Sequence, residues 1–335
     1  MANKSVPVDL GHIFAPTRRG FVADFFIRLF KEKHLGAIGG IIFLILLLTG
    51  IFADFLAPYG YNDINPIDSL KPPSSKYHLG TDNLGRDMLS RIIYGARLSV
   101  IVGFAATALS IVISTIIGIT TGFFGGKYDM VVQRFVDGWM CFPGLVILIV
   151  AVSVIGPGMW QIILILALQF GIAGSRIVRG ATLSTKENMY VRAADAIGAS
   201  TLKLLVRHIL PNIMAPIIIL FTTRIAAIIL AEASLSFLGL GIPPPAPSWG
   251  GMLSGTGRQY MLIAPMMALI PGLALTIVVY GINVFGDAMR DLLDPRLRGG
   301  GGSYSVKKRL KGEPKMKEIR NLFWGEKGED RPKDR

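Results

Sequence analysis

The sequence predicts an all-α membrane protein with six transmembrane helices. Apolar residues make up 51% of the 335 residues, and charged residues only 17%, where soluble domains carry roughly 25%. Mean hydropathy is +0.52. Long windows contain no Asp, Glu, Lys or Arg, and the longest, Gly138–Ser175, has 38 residues. These values argue against an ordinary cytosolic enzyme and against intrinsic disorder.

The first two predicted spans follow from the earliest charge-free windows. Gly36–Ala53 holds 18 residues and Leu98–Gly126 holds 29, and a spanning helix needs about 20 mostly apolar residues. No small-residue cleavage site follows the first window, so we expect a retained helix rather than a cleaved signal peptide. The two spans are placed at about residues 36–57 and 98–124.

The remaining four spans come from the later apolar stretches. The 38-residue window exceeds one span and is interrupted by Gly156-Pro157-Gly158, a turn signal, so it supplies two helices joined by a hairpin. The fifth helix begins at Pro211, because proline suits a first helical turn. The third to sixth spans are predicted at about residues 134–156, 159–180, 211–239 and 263–290.

The distribution of Lys and Arg predicts the orientation. These residues are enriched on the cytoplasmic side of membrane proteins. With both termini inside (N-in/C-in), the inner segments hold 28 of the 35 basic residues and the outer segments six, while Arg224 lies within a span. The chain then divides into a cytoplasmic segment 1–35, a transmembrane domain 36–290 and a basic cytoplasmic tail 291–335. A lipid bilayer accounts for the net charge of +13, and no nucleic-acid partner is expected.

The tail begins with a flexible linker, Gly299–Gly302. Basic and apolar residues then alternate between Lys307 and Trp324. This pattern fits either a helix lying on anionic headgroups or a solvated tail.

The inner connection 184–210 carries the signals of a folded element. Ser184 and Glu187 form a capping box, Gly198 suits a left-handed helix end, and Ser200 can cap a second short helix. One apolar stripe at helical spacing consists of Tyr190, Ala193, Ala194 and Ile197. A simple connector needs none of these signals, so the pattern predicts a helix–Gly–helix element that contacts a partner.

Several motifs resemble a known family. Tyr190-Val-Arg-Ala-Ala-Asp-Ala-Ile-Gly-Ala-Ser, followed by Arg207-His-Ile-Leu-Pro-Asn, resembles the EAA loop of ABC-importer permeases. Four further motifs resemble the C-type permease of oligopeptide and dipeptide (also nickel) importers. They are HLGTDNLGRDMLSR from His78, YGARLS from Tyr94, AEASLSFLGLG from Ala231 with a later PSWG, and GDAMRDLLDPR from Gly286. The resemblance covers about residues 20–298.

This resemblance implies a MetI-like permease fold in the bacterial inner membrane. The connection 184–210 would be the coupling loop, whose helix inserts into a cytoplasmic ATPase. Two positions depart from the family pattern, because Arg192 stands where Glu is implied and Asp195 where a basic residue is common. This exchange alters the polar contacts expected with the ATPase, not the docking. The expected coupling residues are Tyr190, Arg192, Ala193, Ala194, Asp195, Gly198 and His208.

The sequence contains no ATPase of its own. A P-loop needs Gly, four residues, then Gly-Lys-Ser/Thr, and the nearest stretch, Thr121–Tyr128, has the wrong first and last residues. The single cysteine, Cys141, and four scattered His residues show no metal-ligand spacing. We therefore expect no enzyme activity, metal or cofactor in this chain, with ATP and Mg²⁺ bound by partners. The resemblance implies two ATPase subunits or domains, a second homologous permease and an extracytoplasmic substrate-binding protein.

Two ionisable residues in the fifth span are candidates for the translocation path or its gate. Arg224 lies 13 residues after Pro211, about 20 Å deep, where it could meet a substrate carboxylate or a carboxylate of the partner permease. Glu232 lies about 12 Å further along the axis. It could form an outer gate or hold the proline-rich segment 243–247.

The predicted function is a permease subunit that forms the path for oligo- or dipeptides, driven by ATP hydrolysis in partner subunits. The same fold could import nickel, glutathione or oligosaccharides, because the motifs concern assembly more than cargo. A stand-alone ion-coupled secondary transporter is the alternative from a different class. It predicts paired midplane carboxylates and an internal repeat, and the sequence shows neither.

Overall fold

The computed structural model describes residues 21–293, and this part of the chain is helical, with one isolated bridge between Thr81 and Asp87 and no β-strand. The expectations for the N-terminal segment up to residue 20 and for the tail from residue 294 lie outside the described residues. In chain order the helices are α1 Phe21–Glu32, α2 His34–Ile51, α3 Ala53–Leu56, α4 Met88–Phe124, α5 Gly126–Cys141, α6 Gly144–Ile155, α7 Met159–Lys186, α8 Met189–Ala196, α9 Thr201–Lys203, α10 Met214–Phe237, α11 Trp249–Leu253, α12 Gly255–Gln259 and α13 Met266–Leu293.

Five helical stretches of the described residues are long and apolar enough to cross a membrane. They are α2, α4, α7, α13 and a continuous stretch Thr201–Phe237 that ends with α10. Helices α5 and α6 meet the same criterion only as a pair, bent by 91°. The bundle therefore has five such helices, or six if the bent pair forms one span, and the predicted all-α membrane architecture is confirmed.

The third predicted span, 134–156, differs from a single helix. The chain is extended at Phe142, with φ −86° and ψ 140°, and α6 begins immediately after Pro143. Proline has no N–H for a helical hydrogen bond and its ring disfavours helical geometry in the residue before it. The prediction of one continuous helix over residues 134–156 is therefore wrong.

The second and fifth spans are longer than predicted. Helix α4 has 37 residues and starts at Met88, where the side chain of Asp87 accepts a hydrogen bond from the Ser90 N–H. At the fifth span the helical path does not restart at Pro211. It first passes through a wide-turn segment, Leu204–Ile209, which is closed by the Leu210 N–H donating to the carbonyl of Leu205. A tighter 3₁₀ turn, Leu210–Ile213, follows and has Pro211 in its first positions, where the missing N–H of proline costs no helical hydrogen bond.

Helices α4 and α7 form the most extensive helix pair. Their backbones approach closely at Gly118 and Gly122, where an added Cβ would lie 2.6 Å from Val178 Cβ and 2.8 Å from Thr182 Cβ, respectively. Close approach of small residues is a common basis of helix association in membranes. One end of this pair leads into α8, so the packing fixes where the predicted coupling helix projects.

Candidate coupling loop and translocation path

Helix α7 continues further than the capping-box prediction allowed. Its last residue is Lys186, so Ser184 lies inside the final turn and does not cap α8. The Lys186 ammonium donates a 2.6 Å hydrogen bond to the carbonyl of Phe123, near the end of α4. A cation near helix C-termini is favourable, and this bond together with the buried Thr185 holds the last turn helical. The predicted Ser184 cap is therefore wrong.

The end of α8 has the predicted left-handed glycine. Gly198 has φ +81°, its N–H donates to the Asp195 carbonyl at 2.9 Å, and the Ala199 N–H donates to the Ala194 carbonyl at 3.1 Å. This pair of bonds is a Schellman motif. The predicted glycine stop is confirmed, and it sets a sharp turn between α8 and the following helix, whose N-cap position is Ser200.

The apolar stripe predicted for α8 is divided between two faces. Val191 and Ala194 are buried, whereas Ala193 is exposed, Tyr190 is 43% exposed and Ile197 is 87% exposed. Ala194 therefore faces the rest of the protein and supports α8, rather than presenting itself to a partner. The outward face carries large apolar groups, and Met189 at its start is also 87% exposed.

The polar coupling residues remain at the surface. Arg192 forms an ion pair with Glu187, and both side chains are more than 60% exposed. Asp195 is exposed and makes no salt bridge with any residue from 21 to 293. His208 lies half-buried in the wide-turn segment, where its backbone carbonyl accepts a 2.6 Å hydrogen bond from Asn212. Arg192 and Asp195 therefore do not form an ion pair with each other.

Glu232 is buried within α10, with only 2% of the residue exposed. The Ser236 hydroxyl donates to its carboxylate at 2.6 Å, and the side chain of Ser248, directly after the proline-rich segment, is its second polar neighbour. Gly250 packs directly on the α10 backbone at Ala233. These contacts favour a role in holding the proline-rich segment over a role as an outer gate.

Arg224 borders a cavity of about 390 Å³ between α6, α7 and α10, and Glu232 does not line this cavity. Its guanidinium lies over the ring of Phe170, 5.2 Å from the centroid. Within the described part of the chain no carboxylate lies in salt-bridge range of Arg224, and Glu232 does not pair with it. The structure therefore keeps the two charged residues of the fifth span in different surroundings.

Sequence reasoning missed a network of buried acidic residues in the segment 57–87, here called the head loop. Asp68 accepts hydrogen bonds from Tyr77 at 2.8 Å and Lys76 at 2.9 Å, and it also pairs with Lys71. These partners, Lys71 first, hold the pKa of Asp68 well below its usual 3.8. Asp82 similarly binds Arg86 at 2.7 Å. The Asp68–Lys71 and Asp82–Arg86 pairs have spacings of three and four residues, but they lie in a loop, where spacings typical of a helix surface carry no signal.

The sequence analysis also missed two ion pairs that join α5 to α7. Asp129 binds Arg179 at 2.7 Å, and Asp137 binds Arg176. Asp137 lies within the predicted third span, where an ionisable residue is a functional candidate by default, so the signal was present. The pairs hold the polar face of α5 against α7.

A bundle of membrane-length helices with an exposed, glycine-terminated helix between two spans fits the architecture of a multi-pass transport permease. A family model described as binding-protein-dependent transport system inner membrane component matches residues 114–299, and one described as the N-terminal TM domain of oligopeptide transport permease C matches residues 21–73. The chain belongs to this permease family, as its motifs predicted, and is a multi-pass protein of the bacterial inner membrane.

Two curated relatives have similar length. The dipeptide transport system permease protein of Alkalihalophilus pseudofirmus is 36% identical over 296 residues, covering 88% of this chain and 95% of the relative. The glutathione transport system permease protein of Pectobacterium atrosepticum is 38% identical, with coverage of 82% and 91%. A structure of the MetNI methionine ABC transporter, in inward-facing conformations, matches with TM-score 0.50 and 18% identity over 62% of this chain and 98% of that chain. The predicted MetI-like fold is confirmed.

Proposed function

We propose that this chain forms one side of the translocation path of an ATP-driven peptide importer. Family membership supports the permease role. The relatives transport dipeptides and glutathione, which is itself a short peptide, and they support peptides as cargo. Nickel and oligosaccharides have no comparable support among these relatives.

The observation that carries the coupling role is the outward face of α8. Met189 and Ile197 are each 87% exposed on a helix that is held by Val191 and Ala194 and ended by Gly198. Large apolar groups on a rigid, projecting helix fit the groove of a partner. In this proposal Tyr190 and Ala193 contact a cytoplasmic ATPase, while Ala194 supports the helix from behind.

The remaining coupling residues have supporting roles in this proposal. Arg192 and Asp195 supply polar contacts at the rim of the groove, and His208 lies on the second helical segment beside it. Two ATPase subunits or domains bind ATP and Mg²⁺ and hydrolyse ATP, whereas this chain performs no catalysis. Closure of the ATPases would shift α8, and through α7 and α4 the spans.

The other partners follow the proposed N-in/C-in orientation. The head loop then lies outside, where an extracytoplasmic substrate-binding protein would deliver cargo. A second homologous permease completes the path, Arg224 lines it, and Glu232 secures its outer rim. These assignments accord with the concentration of basic residues on the α8 side.

The test is affinity purification of the tagged chain in mild detergent, followed by mass spectrometry and reconstitution. We expect a second permease and ATPase subunits to be retained, and proteoliposomes loaded with ATP to take up dialanine or glutathione with their binding protein. ATP-independent uptake by the chain alone would instead establish a secondary transporter. Uptake of nickel without either peptide would overturn the cargo assignment.

A further inference from the structure

The cavity beside Arg224 has the properties of a ligand site. Its volume of about 390 Å³ falls in the usual range for small-molecule pockets. Leu145, Leu148 and Leu230 supply apolar walls, and small residues from three helices leave the interior open. These small residues are Gly144, Ala173, Ala227 and Ala231.

Arg224 places a positive charge in this apolar cavity without a matching negative one. Its guanidinium lies over the ring of Phe170, and no carboxylate in residues 21–293 forms a salt bridge with it. A cation removed from water without a partner is costly. The cavity is therefore suited to an anionic group that arrives from elsewhere.

Two further donors surround the same space. The carboxamide of Gln169 lies against Gly144, and its buried Oε1 has no hydrogen-bond partner in the part of the chain described. A buried oxygen without a donor is costly, and a half-turn of the amide exchanges its two ends, so that an N–H takes the position of the unpaired oxygen. Helix α6 also begins here, at Gly144, without a side-chain cap. The Val146 N–H already donates to the Pro143 carbonyl, which leaves the N–H groups of Gly144 and Leu145 without a partner inside the helix. A helix N-terminus also favours negative charge.

We propose that this cavity binds the C-terminal carboxylate of a peptide in transit. Arg224 supplies the charge, and Gln169 and the start of α6 supply hydrogen bonds. The break at Pro143 is what brings a helix N-terminus to this depth. The inference rests on the proposed peptide cargo. The cavity volume favours a mobile small molecule over a carboxylate side chain of the partner permease, which would fill only a narrow slot.

The test compares trialanine with trialanine amide, which lacks the carboxylate, in proteoliposomes that contain the complete transporter. Each peptide is supplied at a concentration that saturates the binding protein. We expect the wild-type transporter to take up trialanine faster. Arg224→Ala should lower trialanine uptake about tenfold, the loss of one charge-assisted contact, and leave uptake of the amide unchanged.

Gln169→Glu provides a second variant of nearly identical shape. Its added negative charge should repel the carboxylate, so trialanine uptake should fall while amide uptake does not. Arg224→Lys should restore part of the selectivity. Basal ATPase activity checks that each complex is folded.

Other outcomes overturn specific statements. An equal loss for both peptides in Arg224→Ala, or loss of the second permease from that purified complex, would overturn the cargo site and favour a carboxylate on the partner. Wild-type uptake without discrimination would overturn only this inference. Wild-type uptake of neither peptide and no glutathione would overturn the proposed function on which it rests.

Discussion

The head loop and the coupling loop are two large connections of the described chain, and they use their charged and apolar side chains differently. The head loop turns its acidic residues inward, where Asp68 and Asp82 are 6% and 3% exposed and are matched by basic or hydroxyl groups. The coupling loop turns Met189 and Ile197 outward, each 87% exposed. The first loop satisfies its acidic residues within one chain, although it also exposes Ile67 (87%), whereas the second presents its exposed apolar residues on a folded helix.

Gly198→Glu should give the largest effect and act only on the coupling loop. Its φ of +81° is a conformation that costs a residue with a Cβ about 1–2 kcal/mol, and the added charge would meet the ATPase groove. We expect substrate-stimulated ATP hydrolysis and uptake to fall at least about tenfold, with normal amounts of protein in the membrane. Gly198→Asn is the matched control, because Asn tolerates left-handed geometry. Normal stimulation in Gly198→Glu would contradict the coupling role.

A pair of substitutions on α8 should separate its two faces. Ile197→Asp changes an exposed side chain and should weaken retention of the ATPase about fivefold, a loss of roughly 1 kcal/mol that is common at interface contacts. The thermal stability of the purified permease should not change. Val191→Asp buries a carboxylate and should lower stability as well. If both variants lowered stability alike, the outward face would be structural.

Asp68→Asn should loosen the head loop and leave the coupling loop intact. Since the pKa of Asp68 is lowered in the folded protein, its contribution to stability is present at pH 7. That contribution is lost as the pH falls below about 4 toward the folded pKa. Hydrogen–deuterium exchange of residues 66–86 should rise in the variant at pH 7, with residues 189–197 as the internal reference. Wild-type protein below pH 4 should show the same rise in exchange of residues 66–86, once the rates are corrected for the intrinsic pH dependence of amide exchange. Corrected exchange that did not change with pH would contradict the stabilising role of the Asp68 carboxylate.

Glu232→Gln should give the smallest effect, because its amide oxygen can still accept the hydrogen bond from Ser236. We expect uptake to change by less than about twofold, since this hydrogen bond is kept, whereas loss of a whole neutral hydrogen bond, about 1 kcal/mol, would change it about fivefold. Glu232→Leu should cost more, because it leaves the hydroxyl of Ser236 without its acceptor. Abolished uptake in Glu232→Gln would show instead that the charge itself acts as a gate.

The sequence predicted the features that depend on local composition. Charge-free windows locate membrane helices because lipid excludes unpaired charge, and Gly198 marks a helix end because few other residues adopt its geometry. The family motifs also predicted the family to which the chain belongs. Each of these signals is contained in a short stretch of the chain.

Features that depend on contacts between distant residues were missed or misplaced. Ser184 has the spacing of a cap, but Lys186 bonds to Phe123, 63 residues away, and keeps that turn in α7. The hydrogen-bond partners of Asp68 and the position of Gln169 beside Arg224 depend likewise on tertiary packing. Pro143 was the one local signal available for the broken third span.

The length of α4 has a mechanical consequence. At about 1.5 Å per residue, its 37 residues span about 55 Å, and the described helix has no break from the Asp87 cap to the carbonyl of Phe123 that holds Lys186. A stiff rod of this kind transmits a displacement at one end to the other without loss at a joint. A displacement of the head loop would therefore reach the base of α8 through one helix and the hydrogen bond between Lys186 and Phe123.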